Sequence, residues 1–354
     1  TEDKGNTGNN VIMKVFVGPS DTYMYVSNGT ALYYSVNFDV ASPSWTSVTD
    51  NIGAITDFDS DGTSVFVVDG SAKIDKGALG ATSLTSMTSS NLGAAKIRVI
   101  SGRLIEMDGV HVAELAASGA HLSSSLDYDL KHGSSWVDAA AGPAGVYLAS
   151  NTNDVGSVHF CGTDADGLLN QPAQVADLPK GETINAIESY GGLLVFATNK
   201  GFRFASMQEA GGILYGPLVS DTGAIYSAAT DDRFVWLGAG GGQVYRADLS
   251  KFTESLVPAY ASDVISTAGS PGNVTYTARD AGKTYFVDVA AGVQGEAASG
   301  NKVASGTMTV GAVRWNSQFE KVLRQIEVRS SATLATTGST DYDESGETYD
   351  DADL

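Results

Sequence analysis

The chain has 354 residues, 42% of them apolar, and a net charge of −20 from 21 basic and 41 acidic side chains. That size holds two ordinary domains or one large all-β domain. An acidic chain without a Lys/Arg cluster argues against direct nucleic-acid binding and against an anionic membrane surface.

No apolar run reaches the ~18 residues that mark a membrane-spanning helix, so no membrane insertion is expected. The single cysteine, Cys161, excludes an intrachain disulfide. Residues 1–10, TEDKGNTGNN, are polar and lack the apolar core of a secretory leader. They also lack an initiator Met, as a processed or partial product would, and they read as an N-terminal segment.

From Val11 onward helical periodicity is nearly absent. Short apolar or alternating runs are bounded by Gly, Asp, Asn and Ser, the mark of strands and turns. Asp outnumbers Glu 29 to 12, which favours turns over helices. The runs recur in a fixed order: a first strand, a polar turn, a very apolar second strand, a Gly- or Asn-rich turn, and a more polar third strand. The second-strand positions read YMYVSNG at Tyr23, SVFVVDG at Ser64, RLIEMDG at Arg103 and GVYLASN at Gly145. They continue with LLVFATN at Leu193, RFVWLGA at Arg233 and NVTYTAR at Asn273, and successive starts differ by 41, 39, 42, 48, 40 and 40 residues.

A period near 40 with several short strands per unit is the signature of a β-propeller. Each blade covers its neighbour's faces, so the second strand is apolar throughout and small residues suit the first strand along the channel. AITDF, DAAAG, NAIES, YSAAT and STAGS fit that first place. The expected fold is therefore all-β, a propeller of about seven four-stranded blades over 11–302. Poorly marked fourth strands leave six or eight blades open. Residues 303–354 are β-like without the blade order and read as a β-rich C-terminal segment, the start of a truncated β-sandwich with an acidic tail.

The glycine-rich GAGGG inside DDRFVWLGAGGGQVYRADLS (231–250) raises the question of a phosphate loop. A P-loop needs a Lys and a following helix, whereas Gln243 to Ala247 continue as a strand, so the hairpin reading prevails. Asp57, Asp59 and Asp61 form a D-x-D-x-D-G run with half of a calcium-loop pattern, and they are the metal candidates. The closing ligand is missing, since Val65 and Val68 occupy the later ligand places. Asp164-Ala165-Asp166-Gly167 is a weaker copy. The competing reading is an exposed turn, and beyond calcium no cofactor is expected.

His159 and Cys161 share a strand face, but no third orienting group accompanies them, and a buried structural cysteine is the preferred reading. His111 takes the matching third-strand place and reads as structural. Arg203 and Arg246 fall on third strands, where salt bridges between blades are expected. No constellation supports a catalytic assignment, and the expectation is that the chain is not an enzyme. Asp343 to Tyr349, DESGETY, resembles the Asp-box hairpin, a folding element.

Four segments in order carry a family resemblance: GGLLVFATNKGFRFASM (191–207), GGILYGPLVS (211–220), DDRFVWLGAGGGQVYRADLS (231–250) and PAYASDV (258–264). With FEKVLRQIEVRSSATLATTGS (319–339), they resemble the propeller region of minor tail proteins of long-tailed bacteriophages, especially those infecting actinobacteria. The resemblance implies a virion structural protein of the tail, working in assembly and in host attachment. Its implied partners are other tail proteins in a symmetric assembly and a host-surface glycan or protein. The alternative is an extracellular carbohydrate-binding or carbohydrate-cleaving propeller, and a third reading is a calcium-stabilised adhesion module.

Overall fold

A computed structural model describes residues 2–4, 11–49, 53–69, 73–87, 96–116, 118–122, 125–266 and 268–296. The chain divides into a unit Thr1–Gly311 and a unit Ala312–Leu354. Residues 303–354, with the expected β-rich segment, the acidic tail and the DESGETY hairpin, lie outside the described residues.

The described residues form seven antiparallel four-stranded sheets, the blades of a β-propeller. Blade 1 runs through Val11–Val17, Thr22–Asn28, Leu32–Ser35 and Thr46–Val48. Blade 2 comprises Ile55–Ser60, Ser64–Asp69, Lys73–Ala78 and Thr85–Ser86, and blade 3 Lys96–Ile100, Arg103–Asp108, His111–Leu115 and Asp127–Asp129. Blade 4 comprises Ser134–Gly142, Gly145–Thr152, Val155–Gly162 and Ala173–Asp177. Blade 5 follows with Ile184–Tyr190, Leu193–Thr198, Gly201–Met207 and Ile213–Tyr215, and blade 6 with Ile225–Asp231, Phe234–Ala239, Gln243–Glu254 and Val257–Ile265. Blade 7 takes Val274–Asp280, Lys283–Asp288 and Gly292–Gly295.

The seventh blade is completed by the other end of the chain. Glu2–Asp3 pairs antiparallel with Gly292–Gly295 as the outermost strand. The expectation of a separate segment over 1–10 is corrected here, because residues 2–4 belong to the propeller. Lys4, 2% exposed, continues the clasp: its amide donates to the Val293 carbonyl at 2.9 Å and its Nζ to Val40 of blade 1 at 2.7 Å. Trp45 Nε1 donates to the Lys4 carbonyl at 3.0 Å.

A second correction falls on the last unit. NVTYTAR was expected to be a second strand, yet Val274–Asp280 is the inner strand and Lys283–Asp288 the second. STAGS precedes the blade instead of forming its first strand. The displacement arises because blade 6 ends in an enlarged hairpin, Gln243–Glu254 with Val257–Ile265, which consumes the residues a constant period would assign to blade 7.

Packing explains the continuous apolar second strands. Along Leu193–Thr198, Leu194 and Phe196 pack toward blade 4, while Val195 and Ala197 pack toward blade 6. Along Ser64–Asp69, Val65 and Val67 face blade 1, while Phe66 and Val68 face blade 3. Successive strand residues point to opposite faces, and here both faces are covered. Seven apolar clusters result, one in each blade-to-blade interface. Burying one Phe or Leu side chain is worth about 1.5–3 kcal/mol, so each interface holds its blades strongly.

The inner strands share another device. In blades 2, 4, 5, 6 and 7 a bulge near the start of the strand breaks the register with the second strand. Bulges re-aim the following side chain. In blades 2 and 4 that side chain is Asp57 and Asp138. Each accepts a backbone N–H from the inner strand of the next blade: Ile97 to Asp57 and Ile187 to Asp138, both at 3.2 Å.

Candidate functional site

The inner strands of all seven blades line a central channel with a cavity volume of about 1130 Å³. Its small residues, such as Ala139, Ala140, Ala186, Ala228 and Ala229, leave room for a band of charged side chains.

Arg98 stands at the centre of that band. Its Nη1 lies 2.8 Å from Asp57 Oδ2 and its Nε 2.7 Å from Asp138 Oδ1. Lys14 Nζ lies 3.0 Å from Asp57 Oδ1, an ion contact without the alignment of a hydrogen bond. Lys96 Nζ donates to the Val137 carbonyl at 2.6 Å, and Asp59 Oδ2 accepts from the Val99 amide at 2.8 Å. One connected set of charges thus ties blades 1, 2, 3 and 4.

The environment separates the protonation behaviour of these groups. Burial acts to raise the Asp57 carboxyl, but Lys14, Arg98 and Lys96 outweigh it and hold the group below the ordinary carboxylate range. Burial lowers Lys96. For Arg98 burial is opposed by Asp138, Asp57 and Asp59, which push it higher still. Glu188 on the blade 5 wall behaves oppositely to Asp57: burial, reinforced by the Asp138 charge, pushes it up to about 7. Tyr276 on blade 7 is raised by burial and then by Asp57.

The three calcium candidates are placed apart in role. Asp57 is spent on Lys14, Arg98 and the Ile97 amide, and Asp59 serves Val99. Asp61 sits in the turn beyond, where Oδ1 accepts from the Thr63 amide and hydroxyl at 2.8 and 2.7 Å and from the Ser64 amide at 2.6 Å. Asp164 organises its own turn in the same manner through the Asp166 and Leu168 amides.

Cys161 is fully buried between blades 3 and 4, and burial pushes its thiol up to about 12. His159 packs edge-on to Trp136 and bonds Ser150 Oγ at 2.9 Å, and burial lowers it. A neutral imidazole beside a neutral thiol makes no activated nucleophile. Arg203 grips Glu182 with two bonds of 2.7 and 2.8 Å, at the connector joining blades 4 and 5. Arg246, expected to bridge blades, instead pairs with Asp263 of its own blade at 3.4 Å. Gly241 and Gly242, with φ of 66° and 67°, turn the blade 6 hairpin, consistent with the hairpin reading of GAGGG.

Among the described residues one group of three has metal-ligand chemistry, Glu106, His111 and His121 on blade 3. Burial pushes Glu106 up to about 6. The spacing of these residues matches no helical zinc motif. The readable sign was the Asp108-Gly109 turn, which brings His111 back beside the strand that carries Glu106.

No protein-family model and no curated protein matches the chain. Among solved structures it is similar to virginiamycin B lyase from Staphylococcus aureus, at 15% identity and a TM-score of 0.59 over 83% of this chain and 96% of that one. It is similar to hydrazine synthase of Kuenenia stuttgartiensis, at 11% identity and a TM-score of 0.58 over 83% of this chain and 96% of that one. It is also similar to the WD40 β-propeller domain of Doa1, at 11% identity and a TM-score of 0.57 over the same shares of the two chains. At such identities the likeness shows the propeller fold and nothing of the chemistry.

Proposed function

We propose that this chain is a minor tail protein of a bacteriophage virion, a non-catalytic disc that docks other tail proteins and contributes to host attachment. The observation that carries the reading is where the four resembling segments fall. They cover the second, third and outer strands of blades 5 and 6, and end in the enlarged outer hairpin of blade 6. That hairpin and its neighbour present apolar side chains to solvent, with Phe252 42% and Leu214 65% exposed, and such side chains suit a protein partner. The channel adds support from the opposite direction: Arg98, Asp57, Asp138 and Lys14 are spent on one another and on the backbone.

The test is electron microscopy of purified particles labelled with antibody to the chain. Label confined to the tail supports the reading. Absence of the chain from purified virions overturns it. So does hydrolysis of a glycan panel that is lost in Glu188→Gln, because Glu188 is the channel carboxyl suited to act as an acid near neutral pH.

A further inference from the structure

We propose that Glu106, His111 and His121 form a binding site for one divalent transition-metal ion of the zinc class, on blade 3 and independent of the tail reading. The three residues come from the second strand, the third strand and the loop after it. His121 is fixed beside the third strand by its bridge to Leu115.

The ligand atoms converge. His121 Nε2 lies 3.0 Å from Glu106 Oε1 and His111 Nε2 lies 3.9 Å from the same oxygen. One ligand atom from each residue lies within 4.8 Å of the others. Ligands of a tetrahedral zinc ion stand about 3.3 Å apart, given metal bonds of about 2.0–2.1 Å, so small rotations suffice.

Both imidazoles are also held from behind. His111 Nδ1 lies 2.8 Å from Asp129 Oδ1, and His121 Nδ1 lies 3.4 Å from Asp127 Oδ2. The Asp129 bond fixes the tautomer of His111 that leaves its Nε2 free to bind a metal, the usual support of a histidine ligand, while His121 Nε2 bonds Glu106 Oε1 at 3.0 Å and would release that proton to a metal. The rings stack at 5.4 Å with 21° between planes, so both Nε2 edges approach Glu106 together.

The independent sign is what the protein leaves unmet. Glu106 is 1% exposed, and its Oε2 has no hydrogen-bond partner. His111 Nε2 is likewise buried and without a hydrogen-bond partner. A buried carboxylate with an unused oxygen is costly; a cation here would satisfy His111 Nε2, and Glu106 Oε2 as well once the carboxylate turns to bind through both oxygens. Two imidazoles and one carboxylate suit zinc, copper, iron or nickel and not calcium or magnesium, which prefer all-oxygen shells. Three protein ligands leave a fourth position for water or for Asp127, whose Oδ1 is 3.8 Å from His111 Nε2.

The test is equilibrium dialysis of the full chain against Zn²⁺ and, separately, Co²⁺, with bound metal measured by elemental analysis. One equivalent is expected for the unchanged chain. His121→Ala should lose it, with circular dichroism and metal-free Tm reporting whether the fold is kept. Asp129→Asn, at an exposed side chain, should weaken binding about 10–100-fold, and it decides the matter should His121→Ala fail to fold. Absence of binding overturns the proposal. Binding equal to the unchanged chain in a folded His121→Ala, or in Asp129→Asn, overturns it as well, since the metal would then sit elsewhere.

Discussion

Arg98 reaches Asp57 across the boundary between the second and third blades, Nη1 to Oδ2 at 2.8 Å, while its Nε bonds Asp138 of the fourth blade at 2.7 Å. One guanidinium therefore joins three inner strands at the channel wall. Removing one partner of such a buried set leaves uncompensated charge and costs about 3–5 kcal/mol. Arg98→Met should lower stability by that amount in urea unfolding. Arg98→Met with Asp138→Asn should recover part of it, because one stranded carboxylate is gone. A single-variant loss below about 1 kcal/mol would mean that the contacts behave as exposed ion pairs.

Glu188 gives the channel a pH response. Its carboxyl is raised from 4.5 to about 7 in the folded chain. Between those values the folded chain holds a proton that the unfolded chain has released. Its contribution to stability is therefore full at the acid end and is lost as pH rises through the window. Glu188→Gln should match the unchanged chain near pH 4 and exceed it above pH 7 by roughly 1–2 kcal/mol, a reduced figure because the channel admits water. Urea midpoints at pH 4 and pH 8 decide it. An equal offset at both would refute the shift.

Ring closure rests on residues 2–4. Deleting residues 1–4 removes the outer strand of blade 7 and the Lys4 bonds to Val293 and Val40. The loss is expected to be roughly 2–3 kcal/mol at about 1 kcal/mol per hydrogen bond. Calorimetry should show a Tm lower by several degrees. An unchanged Tm would mean that the apolar interfaces alone close the ring.

Two glycines of neighbouring hairpins should respond differently to alanine. A Cβ at Gly241 meets nothing within 4 Å, so Gly241→Ala carries only the strain of φ 66°, about 1–2 kcal/mol. A Cβ at Gly201 would lie 1.9 Å from the Val219 carbonyl oxygen, so Gly201→Ala must displace backbone. Its cost should be clearly the larger by denaturant midpoint. The reverse order would show that the blade 5 hairpin yields more easily than its contacts imply.

Much of the fold was legible because burial on both faces writes itself into the chain. SVFVVD and LLVFAT are apolar at every core position, since alternate residues enter different interfaces. That pattern recurs often enough to expose the blades. The last blade was misread by one strand, because the enlarged blade 6 hairpin shifted the count.

The sites were less legible, and the reason is sequence distance. Asp57, Asp59 and Asp61 look like one ligand run by spacing. Yet a strand and a turn send them to different donors, some 40 residues away for Asp57 and Asp59. His111 and His121 carry no helical metal spacing, yet the third strand of blade 3 and the loop after it aim both at the buried carboxyl of Glu106. Residue order alone thus settled the all-β class, the blade rhythm and the apolar interfaces, because these depend on local periodicity. Which carboxylate meets which cation, how residues 2–4 close the ring, and where imidazoles converge were decided only in three dimensions. Those contacts depend on how strands pair within a blade and how blades pack on one another, which local periodicity does not state.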